Sequence, residues 1–113
     1  MATDFVAGVI RNGGSPGYWD VLSDEYHVPL NISTVSLDGN LIRVDYGVTF
    51  ASVITLIVGA DESLAAQGVT AGASVSKDHC SIGLRRAGGL VDPRLIGLGG
   101  FENLWIFGLF ETA

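Results

Sequence analysis

The apolar residues of this chain gather in seven short runs fenced by glycine, and none repeats with the period of an amphipathic helix. The runs are rich in β-branched and aromatic residues, which fit a pleated, half-buried surface. Strands at this spacing, without helices long enough to cross over between parallel neighbours, predict an all-β fold. The expected architecture is an antiparallel β-sandwich or jelly roll of about seven to eight strands. With 113 residues the chain fits one domain, 1–113, in which residues 1–30 form an N-terminal arm or edge-strand region.

The punctuation places the strands. Phe5–Ile10 is closed by Asn12-Gly13-Gly14-Ser15-Pro16-Gly17, a loop that helices and central strands exclude. Tyr18–Leu22 is a second strand. His27–Ile32 is an edge strand or the start of one, because Pro29 has no N–H for a ladder. Asp38-Gly39 marks a hairpin that sends Val35, Leu37, Ile42, Val44 and Tyr46 inward and Arg43 and Asp45 outward. Ser52–Val58 is nearly all apolar and reads as a central strand covered on both faces. Asp61–Gly68 reads as a loop or one short turn that Asp61 or Ser63 could cap. Val69–Val75 is a weak strand interrupted by Gly72. In His79–Arg86, Cys80, Ile82 and Leu84 share one face. Gly88–Gly100 reads as a long loop.

The last run carries the most functional information. In Asn103–Glu111, Leu104, Ile106 and Phe110 point to one face, while Trp105, Phe107 and Leu109 point to the other. A surface strand of a lone sandwich needs only one apolar face. Leu104, Trp105, Ile106, Phe107, Leu109 and Phe110 are therefore the candidate oligomer interface.

Composition narrows the function classes. A net charge of −6 repels phosphate backbones, so no nucleic-acid partner is expected. Apolar residues make up 48% of the chain, yet no run has the length of a membrane helix, so no membrane insertion is expected. High hydropathy without a span points to apolar surface hidden by self-association. The N-terminus lacks a basic segment followed by an apolar one, so no secretory signal is read there. One cysteine, Cys80, rules out a disulfide within the chain.

The residues offer little chemistry. Asp78-His79-Cys80 has the residue types of a thiol site, but adjacent strand residues face opposite ways, so His79 cannot activate Cys80. Asp24, Glu25 and His27 could ligate a cation, but no second ligand pair follows at a recognisable spacing. Neither glycine-rich loop is followed by the lysine of a phosphate loop or sits between a strand and a helix. No catalytic residue, metal or cofactor is expected. Exposed aromatics on a sandwich can stack on sugar rings, which makes Tyr18, Trp19 and Tyr26 the candidate glycan contacts.

The second half follows a known pattern. Ile42-Arg43-Val44-Asp45-Tyr46 ends in an aromatic and leads through the Phe50 bend to Val53-Ile54-Thr55-Leu56-Ile57-Val58. Ser81-Ile82-Gly83-Leu84-Arg85-Arg86 and a closing Leu104-Trp105-Ile106-Phe107-Gly108 complete it. Over about residues 35–110 this resembles the small β-sandwich domains of bacteriophage virion proteins. These occur in tail fibres, minor tail proteins and head appendages, and share an architecture with H-type lectins. The resemblance implies a non-enzymatic structural protein of the virion, a tail protein or head decoration. It would be made in the bacterial cytoplasm and assembled as a homo-oligomer, by analogy a homotrimer, beside other virion proteins. The alternative is a carbohydrate-binding module for a bacterial surface glycan.

Overall fold

The computed structural model describes residues 2–13, 18–96 and 102–113. Its elements in chain order are β1 (Thr3–Asn12), β2 (Trp19–Val21), β3 (Thr34–Asp38), β4 (Leu41–Asp45), β5 (Ser52–Ala60), α1 (Glu62–Ala66), β6 (Val69–Val75), β7 (His79–Arg86), β8 (Gly89–Val91) and β9 (Asn103–Glu111). They form two antiparallel sheets. Sheet A has the order β2-β1-β9-β5; sheet B has the order β3-β4-β7-β6, with β8 also paired to β7. The fold is an all-β sandwich, with nine strands among the described residues. β8, a three-residue strand inside the stretch expected to be a long loop, takes the count to nine.

The period-2 alternation sets which side chains meet between the sheets. Val6 and Ile10 of β1 and Leu104, Ile106 and Phe110 of β9 face Ile42 and Val44 of β4 and Cys80, Ile82 and Leu84 of β7, all buried. Each such side chain contributes about 1.5–3 kcal/mol on burial. Val35 and Leu37 of β3 pack against this core from the sheet edge, so the inward face of the hairpin lies where the alternation puts it. At one end Tyr46, Phe50 and Phe110 form an aromatic cluster, with Phe50 stacked on Phe110 at 4.5 Å between centroids and Tyr46 tilted against Phe110 at 5.1 Å. At the other end Trp19 is buried and its indole Nε1 donates to the Pro93 carbonyl at 3.0 Å.

Several expectations are corrected by long-range pairing. Ser52–Ala60 is an edge strand, not a central one, because β9 is its only strand partner among the described residues. Thr3–Asn12 is no arm. It lies between β2 and β9 and pairs with β9 from Thr3 opposite Glu111 to Arg11 opposite Asn103. His27–Ile32 is not a strand: Leu30 alone bridges to Ala7, and Pro29 keeps the segment from pairing further. The Gly88–Gly100 stretch is not one loop. It holds β8 and a 3-10 turn at Pro93–Leu95 that Asp92 caps by accepting from the Arg94 N–H. Residues 97–100 of that stretch, and 14–17 of the glycine-rich loop, lie outside the described residues. The 61–68 stretch is a one-turn helix, α1, capped by Asp61, whose carboxylate accepts from the Leu64 N–H at 3.0 Å.

The β3–β4 hairpin is displaced by one residue from the expected turn. Asp38 pairs with Leu41, so Gly39 and Asn40 are the central turn residues. Gly39 has φ +59° and Asn40 is not in the left-handed region, the pattern of a turn with glycine at its first central position. A Cβ at Gly39 would meet nothing within 4 Å. A substitution there is penalised by the backbone alone. Gly39→Val is expected to cost about 1–3 kcal/mol, read as a lowered urea midpoint at unchanged m-value.

Candidate functional site

Both sheets have an outward face, and the two differ in chemistry. On sheet A the cross-strand register assembles an apolar surface from four segments. Leu30 stands opposite Ala7, Ala7 opposite Phe107, and Phe107 opposite Ile57, so one apolar row crosses the whole sheet. On one side lies the row Val9, Trp105 and Gly59, and on the other Phe5, Leu109 and Thr55. Phe5 and Phe107 meet with centroids 5.4 Å apart. Trp105 is 52% exposed, Phe107 48% and Ile57 65%. Charge enters at the ends of the surface: Arg11, whose Nε donates to Asn103 at 2.9 Å, and Asp20 opposite it lie beyond Trp105, and Glu111 lies beyond Leu109.

Leu104, Ile106 and Phe110 are corrected as interface residues. They fill the sandwich core, because the alternation that turns Trp105, Phe107 and Leu109 out turns them in. Sequence reasoning missed Phe5, Val9, Leu30 and Ile57. They join the surface through the pairing of β1, β9 and β5 and, for Leu30, through its bridge to Ala7. Phe5 and Val9 do fall on alternate positions of one apolar run, the one signal that could have found them.

The outward face of sheet B is a shallow groove of about 420 Å³ floored by Gly72, Ser74, Ser81 and Gly83. Leu41 and Leu90 lean over Gly83, where a Cβ would lie 3.5 Å and 3.2 Å from their methyl groups. Beside it Arg43 holds Asp45 through Nη2 at 3.0 Å, and that carboxylate keeps the guanidinium charged. A second hollow of about 330 Å³ lies among Ser33, Asp45, Val48, Thr49 and Asp78.

The expected glycan contacts do not form one platform. Tyr18 is 55% and Tyr26 83% exposed, but Trp19 is 4% exposed and is corrected from a glycan contact to a core residue. Its indole N–H is already used on Pro93, and its ring seals the end of the sandwich. The Asp24 carboxylate is occupied by its own turn: it accepts from the N–H of Tyr26 and of His27, both at 2.8 Å, and lies 2.9 Å from His27 Nδ1. The His27 contact, then the Tyr26 N–H, hold its carboxyl below the usual range. Among the described residues no group of three His, Cys, Asp or Glu side chains stands close enough to hold a metal ion. Nor is any helix among them long and apolar enough to cross a membrane.

Cys80 lies in the core and His79 faces out, its Nδ1 2.8 Å from the Asp78 carboxylate. Burial pushes the Cys80 thiol up to about 11. The adjoining Tyr46 hydroxyl is raised too, mainly by burial, and it has no hydrogen-bond partner among the described residues.

No protein-family model, curated protein or solved structure matches this chain. The virion resemblance therefore rests on the strand pattern alone, and the site is read from geometry.

The raised thiol has a consequence for stability. An unfolded chain loses the Cys80 proton near the ordinary value of 9.0, whereas the native state holds it to about 11. The stabilisation is complete below pH 9 and is lost as pH rises towards 11. Cys80→Ala is expected to cost about 1 kcal/mol at neutral pH and to flatten the decline between pH 9 and 11 in urea titrations. Native Cys80 is expected to react with a thiol reagent at least about 100-fold more slowly than the unfolded chain.

Proposed function

We propose that this protein is a non-enzymatic structural subunit that associates with copies of itself through the outward face of sheet A. The observation that carries the reading is the apolar surface of Phe5, Val9, Leu30, Ile57, Trp105 and Phe107. Large side chains each carry about 200 Å² and the leading ones are about half exposed, so the surface offers roughly 500 Å² per copy. A patch of that size matches the largest apolar patch a typical monomer carries, which is often a functional surface. Two such faces together bury about 1,000 Å², the threshold for a specific interface.

A second copy is the occupant that the charge distribution favours. The centre of the face is uncharged in a chain of net charge −6, so it is the part of the surface where two copies meet with least repulsion. A cationic partner would find no acidic side chain at its centre. The particle setting, a surface component of a bacteriophage virion, is what the strand-pattern resemblance implies for such a subunit.

The test is the mass of the native particle by sedimentation or light scattering. Wild type is expected to exceed the monomer mass at micromolar concentration. Trp105→Asp and Phe107→Asp are each expected to give a smaller, still folded species, because an unpaired charge at a dry contact costs several kcal/mol. Both side chains are already half exposed in the single chain, so the core is untouched. A soluble wild-type monomer would falsify the reading.

A further inference from the structure

We propose that β5 is a second assembly surface, pairing antiparallel, edge to edge, with β5 of another copy. The proposal rests on the backbone and is independent of the face contact.

The two edges of sheet A are treated very differently. On the β1 side the chain satisfies the outward peptide groups one after another. Ala7 exchanges hydrogen bonds with Leu30 at 3.0 and 2.8 Å, and the Val9 carbonyl accepts from the Leu22 N–H at 2.8 Å. The Asn31 side-chain amide donates to the Phe5 carbonyl at 2.8 Å, and β2 pairs with Ile10–Asn12. Residues 18–32 are largely devoted to this cover. On the β5 side nothing equivalent exists among the described residues: β5 pairs only with β9. The Asp61 N–H donates to the Asn103 carbonyl at 3.0 Å. Because antiparallel ladders alternate, Gly59 and Ile57 also turn their peptide groups to β9, and Leu56, Val58 and Ala60 turn theirs away from it. The adjoining edge strand β6, reached through α1, makes no backbone hydrogen bond to them.

The free strand also lacks the devices that keep edges apart. Ser52–Ala60 contains no charged residue and no proline. Its one irregularity is a bulge between Val53 and Thr55, at the far end from Leu56–Ala60. A strand of this composition is a template for another strand. The occupant is a second β5 because two uncharged, β-branched edges meet without the repulsion that the acidic remainder of two copies would impose. A two-fold axis makes such a pairing self-complementary. It would also join two sheet A faces, with Ile57 at each seam, into one continuous apolar surface.

The experiment uses Val58→Pro, which deletes an outward N–H without touching the β5–β9 ladder, in wild type and in Trp105→Asp. The readouts are particle mass and amide exchange of Leu56 and Val58. Trp105→Asp alone is expected to remain dimeric, and Trp105→Asp with Val58→Pro to be monomeric. In the assembled wild type the two amides are expected to exchange at least about 100-fold more slowly than in the diluted monomer. A monomeric Trp105→Asp would overturn the edge contact and leave the face contact standing. So would a mass unaffected by Val58→Pro, or protection of both amides in the monomer. If Trp105→Asp leaves the mass of wild type unchanged, the face contact fails instead. Should Val58→Pro not fold, amide exchange in wild type decides alone.

Discussion

β9 has to be covered twice, and the rest of the molecule is arranged around that requirement. As an interior strand of sheet A it is hydrogen-bonded on both edges, by β1 and β5, so no water reaches its backbone. Its inward side chains, Leu104, Ile106 and Phe110, are the sheet A half of the core. Its outward side chains, Trp105, Phe107 and Leu109, gather Phe5, Val9 and Ile57 from the two neighbours. A strand cannot hide one face by twisting it towards the other, because alternation is fixed by the pleat. The chain supplies one covering layer, sheet B, and leaves the large side chains of the other face about half exposed.

The core and the outward face obey different energetics. Inside, the stacked Phe50 and Phe110 and the buried Tyr46 fasten the bend after β4 to the end of β9, and cavity formation makes any truncation there expensive. Gly108 belongs to the same arrangement: a Cβ there would come 2.8 Å from the Phe110 ring and 3.1 Å from a Leu56 methyl. Outside, the same apolar chemistry yields nothing until a partner removes it from water. The polar edge of β5 is in a similar position, since its peptide groups gain little until another strand replaces water. Face and edge together would let one subunit contact two neighbours, which is the valence that an extended assembly needs.

Sheet B is built to a different rule. Its outward face carries Arg43 and Asp45 paired to each other, small residues at Gly72, Ser74, Ser81 and Gly83, and no aromatic side chain. Cys80 and Tyr46 sit beneath it in the core, where burial holds both in their protonated forms. Asp24, one of the groups that suggested cation chemistry, is spent on its own turn with Tyr26 and His27, and Asp61 and Asp92 likewise cap α1 and the 3-10 turn.

The sequence by itself determined where most strands lie and which way their side chains face, though it read His27–Ile32 as a strand and missed β8. Val35 to Tyr46, Cys80 to Leu84 and Leu104 to Phe110 all kept the faces their alternation assigns, because that property is local and has period 2. It also gave Trp105 and Phe107 as an unpartnered pair. Only the tertiary structure decided which strands are neighbours. Ser52–Val58 has the composition of a buried central strand yet stands at an edge, and residues 1–30 read as an arm or edge-strand region, yet Thr3–Asn12 lies inside a sheet. Trp19 reads as a surface aromatic but is drawn into the core by Pro93, 74 residues away. Strand order depends on contacts far apart in the chain, and no local period records which distant edge a strand will find.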